Sequence, residues 1–324
     1  MDPVPLALRS TDLVHAGFDD RDVRDRAARG QLARVTRGSY LPSEDWRSLD
    51  ARQKYVSLIH AVVSGFERQC AVSHWSAAAV WGLPVPDEWP RHVEVIDPAR
   101  STAQLASRIR RRPGTLRRAD VLPRESTWIT SAARTATDIA LTGPFEEAVL
   151  VFDHGLRLGL FTTSDIEREL AGRPGARRSR SAASALGFAD GAAEYAGESF
   201  SRCGMAARGL LMPTLQEESR RGWRLIAKAD FWWESSGIVG EFDGDWKYSD
   251  PRWLRGRTPA EAIADEKRRQ NELAAHPRVR TIVRWDYAVA RNPDELARRL
   301  LAAGVPRVRP PAGRRTVERR THRR

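Results

Sequence analysis

Of the five acids in KADFWWESSGIVGEFDGDWKY, residues 228–248, three stand in or beside its apolar and aromatic runs: Asp230, Glu241 and Asp243. The runs 225–233 and 238–242 are rich in strand-forming types. Glu234-Ser235-Ser236-Gly237 between them has turn chemistry, so the stretch reads as a β-hairpin. With those four residues as the loop, Trp233 pairs with Ile238. Counting back sets Asp230 opposite Glu241 and Lys228 opposite Asp243. Directly opposed side chains lie about 5 Å apart at Cβ, where like charges are destabilising. Two facing carboxylates therefore point to a divalent cation, because hard ions such as Mg²⁺ take oxygen ligands and one or two protein carboxylates. A register slip of one residue would instead turn the acids to solvent.

The elements around this hairpin follow from caps and periodicity. A helix over Ala196–Arg208 carries Glu198 in its first turn, and Pro213 and Gln216 come before the hairpin. A loop over 248–258 leads to a helix over Pro259–Ala275 with Asp265, Glu266, Lys267, Arg268 and Arg269. Val279–Val283 is a short β-branched strand ending in Arg284-Trp285, and Asp294–Ala302 is a final helix. This order gives a mixed central sheet flanked by helices.

The run GES…L…P…Q…AKADFWW…GIVGEFDGDWKY, followed by EKRRQNELAAHPRVRTIVRW, resembles the very-short-patch-repair-like endonuclease domains of the PD-(D/E)xK superfamily, over about residues 196–300. The resemblance implies a restriction-endonuclease-like fold and metal-assisted phosphodiester hydrolysis. It places Asp230, Glu241 and Asp243 at Mg²⁺ or Mn²⁺, with Glu198 as the acid of the first helix and Glu266 with Arg269 as a charged pair. Glu241-Phe242-Asp243 departs from the pattern, since Asp243 stands where the superfamily's lysine is usual. Lys247, one short turn on, or Lys228 would supply the missing cation, and Arg268 and Arg269 would grip backbone phosphates.

Residues 7–41 read as a small winged helix-turn-helix. Ser10 or Thr11 caps a first helix ending near Gly17, and Asp19 or Asp20 caps a second that stops at Gly30. Two short strands follow around Arg37-Gly38. Arg21, Arg24 and Arg29 on the second helix, with Arg34 and Arg37 on the wing, suit phosphate contact. Asp19, Asp20, Asp22 and Asp25 could equally cancel that charge and make the unit a protein-binding module. The stretch LVHAGFDDRDVRDRAARGQLARVTRGSYLP is similar to the N-terminal domain of AbiEi-type antitoxins of type IV toxin–antitoxin systems. That resemblance implies a DNA-binding winged helix and a cognate toxin as a second partner.

Between these ends the chain reads as mixed α/β. Helices are expected over Asp50–Val63, from Ser73 to Val80, over Ser131–Leu141 and over Phe145–Leu158, with a strand at Val93–Ile96. His74 reads as a structural helix-start residue, and the basic run Arg108–Arg112 as a solvated face, with nucleic-acid contact as the alternative. Glu146, Glu147, Asp153 and His154 read as a helix face. TSAARTATDIA and FEEAVLVFDHGLRLGLFT resemble the middle region of the same antitoxin-like proteins. Ala171–Arg180, rich in Gly, Pro and Arg, reads as a linker at the main domain boundary.

The expected organisation is an α/β multidomain chain. It comprises a winged helix at 1–45, a mixed α/β region at 46–170, a linker and helix at 171–195, a nuclease-like domain at 196–305 and a disordered basic tail at 306–324. At 324 residues with 41% hydrophobic content the chain can bury real cores. Its two cysteines, Cys70 and Cys203, imply no disulfide framework, which fits a reducing compartment. A signal-peptide pattern and an apolar run long enough to span a membrane are both missing, so a cytoplasmic protein is expected. From Arg307 onward eight arginines and one glutamate hold a net +7 of the chain's +12. Only four lysines occur against 50 arginines, and three of the four lie between 228 and 267. The leading functional reading is a DNA-binding, Mg-dependent endonuclease. The alternative is a non-catalytic transcriptional regulator or antitoxin built on a degenerate nuclease fold.

Overall fold

The computed structural model describes residues 4–5, 7–9, 19–64, 70–124, 127–221, 224–244, 258, 261 and 272–308, with backbone alone at 219–221 and 224–227. The chain is α/β and forms two compact units, Met1–Gly191 and Ala192–Arg324. They part inside the 171–195 segment. Lys247, Glu266, Arg268 and Arg269 lie outside the described residues, as do most of the helix expected over 259–275 and the tail from 309 on.

In the first unit, β1 (Leu8–Arg9), α1 (Asp20–Ala28), β2 (Leu32–Thr36) and β3 (Ser39–Pro42) come first. The strands form an antiparallel sheet in the order β1-β3-β2. Asp19 caps α1 by accepting the Asp22 N–H at 2.6 Å. Gly30, at φ +73°, takes the left-handed turn that leads the chain away from α1. The helix expected before α1, ending near Gly17, lies outside the described residues. Val35 and Leu41 share one hydrophobic core with Val72, Val95 and Ile129, so the segments 1–45 and 46–170 are packed as one body.

Next come α2 (Ser43–Ser48), α3 (Ala51–Val63), β4 (Ala71–Val72), α4 (His74–Trp81), β5 (Val93–Ile96), β6 (Gln104–Ala106) and β7 (Ile109–Arg112). They are followed by β8 (Val121–Arg124), β9 (Thr127–Thr130), α5 (Ala132–Thr142), α6 (Phe145–Arg157), α7 (Thr163–Ala171) and α8 (Ser179–Phe188). The six strands make a mixed sheet in the order β6-β7-β5-β4-β9-β8. Asp50 and Gln53 close a reciprocal cap on α3, the expected start of that helix. Asp153 is fully buried and accepts the Asp190 N–H at 2.7 Å, while His154 Nδ1 bonds the Leu150 carbonyl. Both therefore hold structure together inside the unit.

The run Arg108–Arg112 is a solvated face only in part: Arg108 and Arg110 are exposed, whereas Arg111 and Arg112 turn to buried acids. Arg112 Nη2 donates to Glu94 Oε1 at 2.7 Å, and Arg111 Nε lies 3.6 Å from Asp97 Oδ2. Glu94 and Asp97 are both buried. A buried carboxylate is tolerated only with a cation and hydrogen bonds beside it, so β7 supplies those cations. A second buried network centres on Arg134. Its Nε donates to both Asp138 oxygens at 2.8 Å, and its Nη1 donates to Asp120 Oδ2 at 2.8 Å.

Burial pushes the Asp138 carboxyl up to about 6 from 3.8, against the pull of Arg134. Between those values the folded chain holds a proton that the unfolded chain has lost, so this group's contribution to stability falls as pH rises across the interval. Asp138→Asn is expected to flatten that part of the pH dependence of the urea midpoint. An unchanged slope would show that Asp138 does not titrate there.

The second unit contains α9 (Ala196–Ala207), β10 (Thr214–Arg221), β11 (Arg224–Trp233), β12 (Ile238–Phe242), β13 (Thr281–Trp285), α10 (Tyr287–Ala290) and α11 (Pro293–Ala302). The sheet order is β10-β11-β12-β13; β10, β11 and β12 run antiparallel in turn, and β13 joins β12 in parallel. Phe231, Trp233, Ile238, Phe242 and Trp285 pack with Met205, Leu296 and Leu300. Trp232 and Val239 belong to a separate cluster with Leu273. The sheet is thus the middle of a layered unit, with α9 and α11 against one face. Among the described residues, no helix is long and apolar enough to cross a membrane.

Candidate acidic site at the end of the central ladder

Gly237, at φ +63°, turns the chain between β11 and β12, and the register follows as Trp233↔Ile238, Trp232↔Val239 and Phe231↔Gly240. The ladder stops one pair short of Asp230 and Glu241. There Asp230 Oδ2 accepts the Phe242 N–H at 2.9 Å, so its carboxylate meets β12 next to Glu241. Glu241 is 4% exposed. On its other side β13 sets Arg284 directly across, with Nε 3.9 Å from Glu241 Oε2.

Glu198 completes the group from α9. Gly197 before it lets the helix approach the sheet, because a Cβ there would lie 2.0 Å from the Phe242 ring. Gly197→Ala is expected to cost about 1–3 kcal/mol of stability and to shift Glu198, read as a lower urea midpoint. An unchanged midpoint would mean that the helix can move away freely.

The Glu198 side chain is fully buried. Its Oε2 accepts the Glu194 N–H and the Gln216 Nε2–H, each at 2.9 Å. Its Oε1 is buried without a hydrogen-bond partner among the described residues. Gln216 holds a left-handed backbone, φ +54°, and is passed over by the β10–β11 ladder, where Leu215 pairs with Phe231 and Glu217 with Ala229. No residue is inserted there: Gln216 and Asp230 fall between the two flanking pairs, and the Gln216 side chain delivers its amide to Glu198. Burial, then the charge of Asp230, push the Glu198 carboxyl up to about 8. A cation would reverse both causes.

The structure therefore brings Glu198 to Asp230, and Asp230 to the residue beside Glu241. It does not bring Lys228 opposite Asp243. Lys228 ion-pairs with Glu194 and lies across from Glu218 of β10. The antiparallel ladder to β12 has ended by then, which removes the expected facing. Asp243 has an exposed side chain, and its N–H donates to the Trp285 carbonyl at 2.8 Å, so it runs on beside β13. Among the described residues, no group of three or more His, Cys, Asp or Glu side chains is arranged to hold a metal ion. Magnesium needs fewer, since it keeps several waters and binds through one or two carboxylates. The all-oxygen donor set and the unpartnered Glu198 Oε1 fit such an ion.

Gln216, Glu194 and Arg284 take part here in ways that reading the hairpin alone did not show. Their roles depend on a left-handed residue inside β10, a helix approach and a parallel register, none of which leaves a local sequence signal. In the first unit, Arg21 and Arg24 of α1, Arg29 at its C-cap, and Arg34 and Arg37 of the β2–β3 hairpin are all exposed.

No family model matches the chain. Two uncharacterised proteins of Mycobacterium tuberculosis, MT2308 and Rv2248, are each 32% identical to it over 130 residues, 40% of this chain and 48% of theirs. The chain thus spans about half the length of the curated relatives it matches. Among solved structures, the RV2827C protein of Mycobacterium tuberculosis aligns with a TM-score of 0.38 at 20% identity, covering 67% of this chain and 84% of that one. A likeness at that score carries no functional argument.

Proposed function

We propose that the chain is a DNA-binding protein whose C-terminal unit hydrolyses phosphodiester bonds with the help of Mg²⁺ or Mn²⁺. The observation that carries this reading is the buried, unpartnered Glu198 oxygen beside Asp230, at the point where the β11–β12 ladder opens. Asp230 and Glu241, with Glu198, would hold the cation; the exposed Asp243 is the outer candidate ligand. Such an ion supplies a polarised phosphate and a water of lowered pKa. The chain's own residues do the rest. Gln216 and the Glu194 N–H fix Glu198 Oε2, leaving Oε1, which burial keeps protonated without an ion, to give up its proton and face the cation. Arg284 offsets the charge of Glu241 and is half-exposed, so its guanidinium can also meet a phosphate. Lys247, Arg268 and Arg269 remain candidates for charge stabilisation and backbone grip. The exposed arginines at 21, 24, 29, 34 and 37 would hold the duplex by its phosphates, as the antitoxin-like resemblance implies. Incubation of the purified chain with matched and mismatched duplex DNA, with and without Mg²⁺ or Mn²⁺, tests this reading. No metal-dependent cleavage would refute it.

One observation favours the second reading, a regulator or antitoxin on a nuclease-like platform. Asp243 occupies the lysine position, and Lys228 is paired with Glu194. Isothermal titration with Mn²⁺ separates the two, since a platform need not bind metal.

A further inference from the structure

The first unit contains two cavities with a shared wall. One, of about 270 Å³, includes Glu94 and Arg110 in its lining, and the other, of about 440 Å³, includes Arg134, Asp138, Arg173 and Arg177. His74, Arg112 and Thr142 line both. The larger one falls in the usual range for small-ligand sites, roughly 300–1,000 Å³. Four arginines and one carboxylate stand on its wall. Their hydrogen-bonding capacity is unequally used. Arg134 is engaged by Asp120 and Asp138. Arg173 meets Glu169 through Nη1, and Arg112 meets Glu94 through Nη2. Arg112 keeps its Nε–H buried without an acceptor among the described residues. Arg177 is exposed and forms no ion pair among the described residues.

His74, at the start of α4, is 6% exposed and holds a left-handed backbone at φ +50°. A non-glycine residue persists in that conformation only where its surroundings over-determine it, and such positions cluster at ligand sites. Burial, then Arg112, Arg134 and Arg110, lower the affinity of its imidazole for a proton, so the ring is neutral at neutral pH. Burial is the larger cause, and the guanidinium groups of Arg112, Arg134 and Arg110 add to it, so the ring sits beside three cations. Guanidinium forks match phosphate oxygens in pairs.

We propose that the larger cavity of the first unit binds a phosphate group, held by Arg112, Arg173 and Arg177 beside His74. The site is separate from the acidic group of the second unit and does not depend on that unit's chemistry. The phosphate could belong to a small metabolite or to a nucleic-acid backbone, and the probes distinguish these sources. Titration calorimetry of the full chain in EDTA, which removes divalent metal, would use pyrophosphate, a mononucleotide and a short single-stranded oligonucleotide. At least one probe should bind at a single site and weaken by about tenfold in Arg177→Ala. Arg180→Ala removes an equal charge three residues along, off the cavity wall, and should leave binding unchanged. Arg112→Lys keeps the charge beside Glu94 but removes the fork, and should weaken the same probe. If Arg112→Lys does not fold, the comparison of positions 177 and 180 decides alone. Absence of binding by every probe would overturn the proposal. So would wild-type affinity in Arg177→Ala, or an equal loss in Arg180→Ala.

Discussion

Asp230→Ala is expected to remove metal-dependent DNA cleavage, by about 10³-fold or more, while the chain remains folded. The argument starts from what that carboxylate does. It accepts the Phe242 N–H where the β11–β12 ladder has ended, and its charge helps to raise the Glu198 carboxyl. Alanine removes the acceptor and the charge together. Asp230→Asn keeps an oxygen for the Phe242 amide and removes only the charge, so it should fold at least as well and cleave as poorly. Both variants should also lose Mn²⁺ binding by calorimetry. Cleavage that persists in Asp230→Asn at the unaltered rate would mean that the acidic group is not where hydrolysis occurs.

The second large effect lies in the other unit. Arg134→Ala should destabilise the chain by about 3–5 kcal/mol, because it leaves buried Asp138 without its ion pair and buried Asp120 with Arg117 alone. The loss would appear as a lowered urea midpoint for the first unit. Arg134→Lys keeps one charge but not the fork that reaches both acids, and should fall between the two. A cost under about 1 kcal/mol would place the network among weak surface pairs, contrary to its burial. Adding Asp138→Asn to Arg134→Ala should recover part of the loss by removing one stranded charge. That double-variant comparison isolates the coupling.

Several elements were legible because local chemistry decides them. Asp19 before α1 and Gly30 beyond it mark that helix, and Gly237 with its preceding polar residues marks the hairpin turn and its register. Asp50 with Gln53 marks the start of α3. The losses have a common cause. Arg110–Arg112 carried every sign of a solvated strip, since Glu94 and Asp97 lie well before them in the chain and only the pairing of β5 with β7 brings them together. Lys228 does not face Asp243 because the ladder between β11 and β12 ends at Phe231 and Gly240. Its partner, Glu194, is reached through the approach of α9. The place of Arg284 required knowing that β13 joins β12 in parallel. In each case a tertiary contact, and not residue type, assigns the charge its partner.

That parallel strand also fixes an order of events in folding. β10, β11 and β12 follow one another in the chain and can pair as a meander, but β13 begins only at Thr281 and must return across a long crossover. Until it does, the strand bearing Glu241 is the open margin of a three-stranded sheet, with unpaired amides and carbonyls along it. During synthesis the ribosome would release the acidic residues well before the segment that closes over them. The interval is when a newly made chain is most exposed to edge-to-edge association with its neighbours.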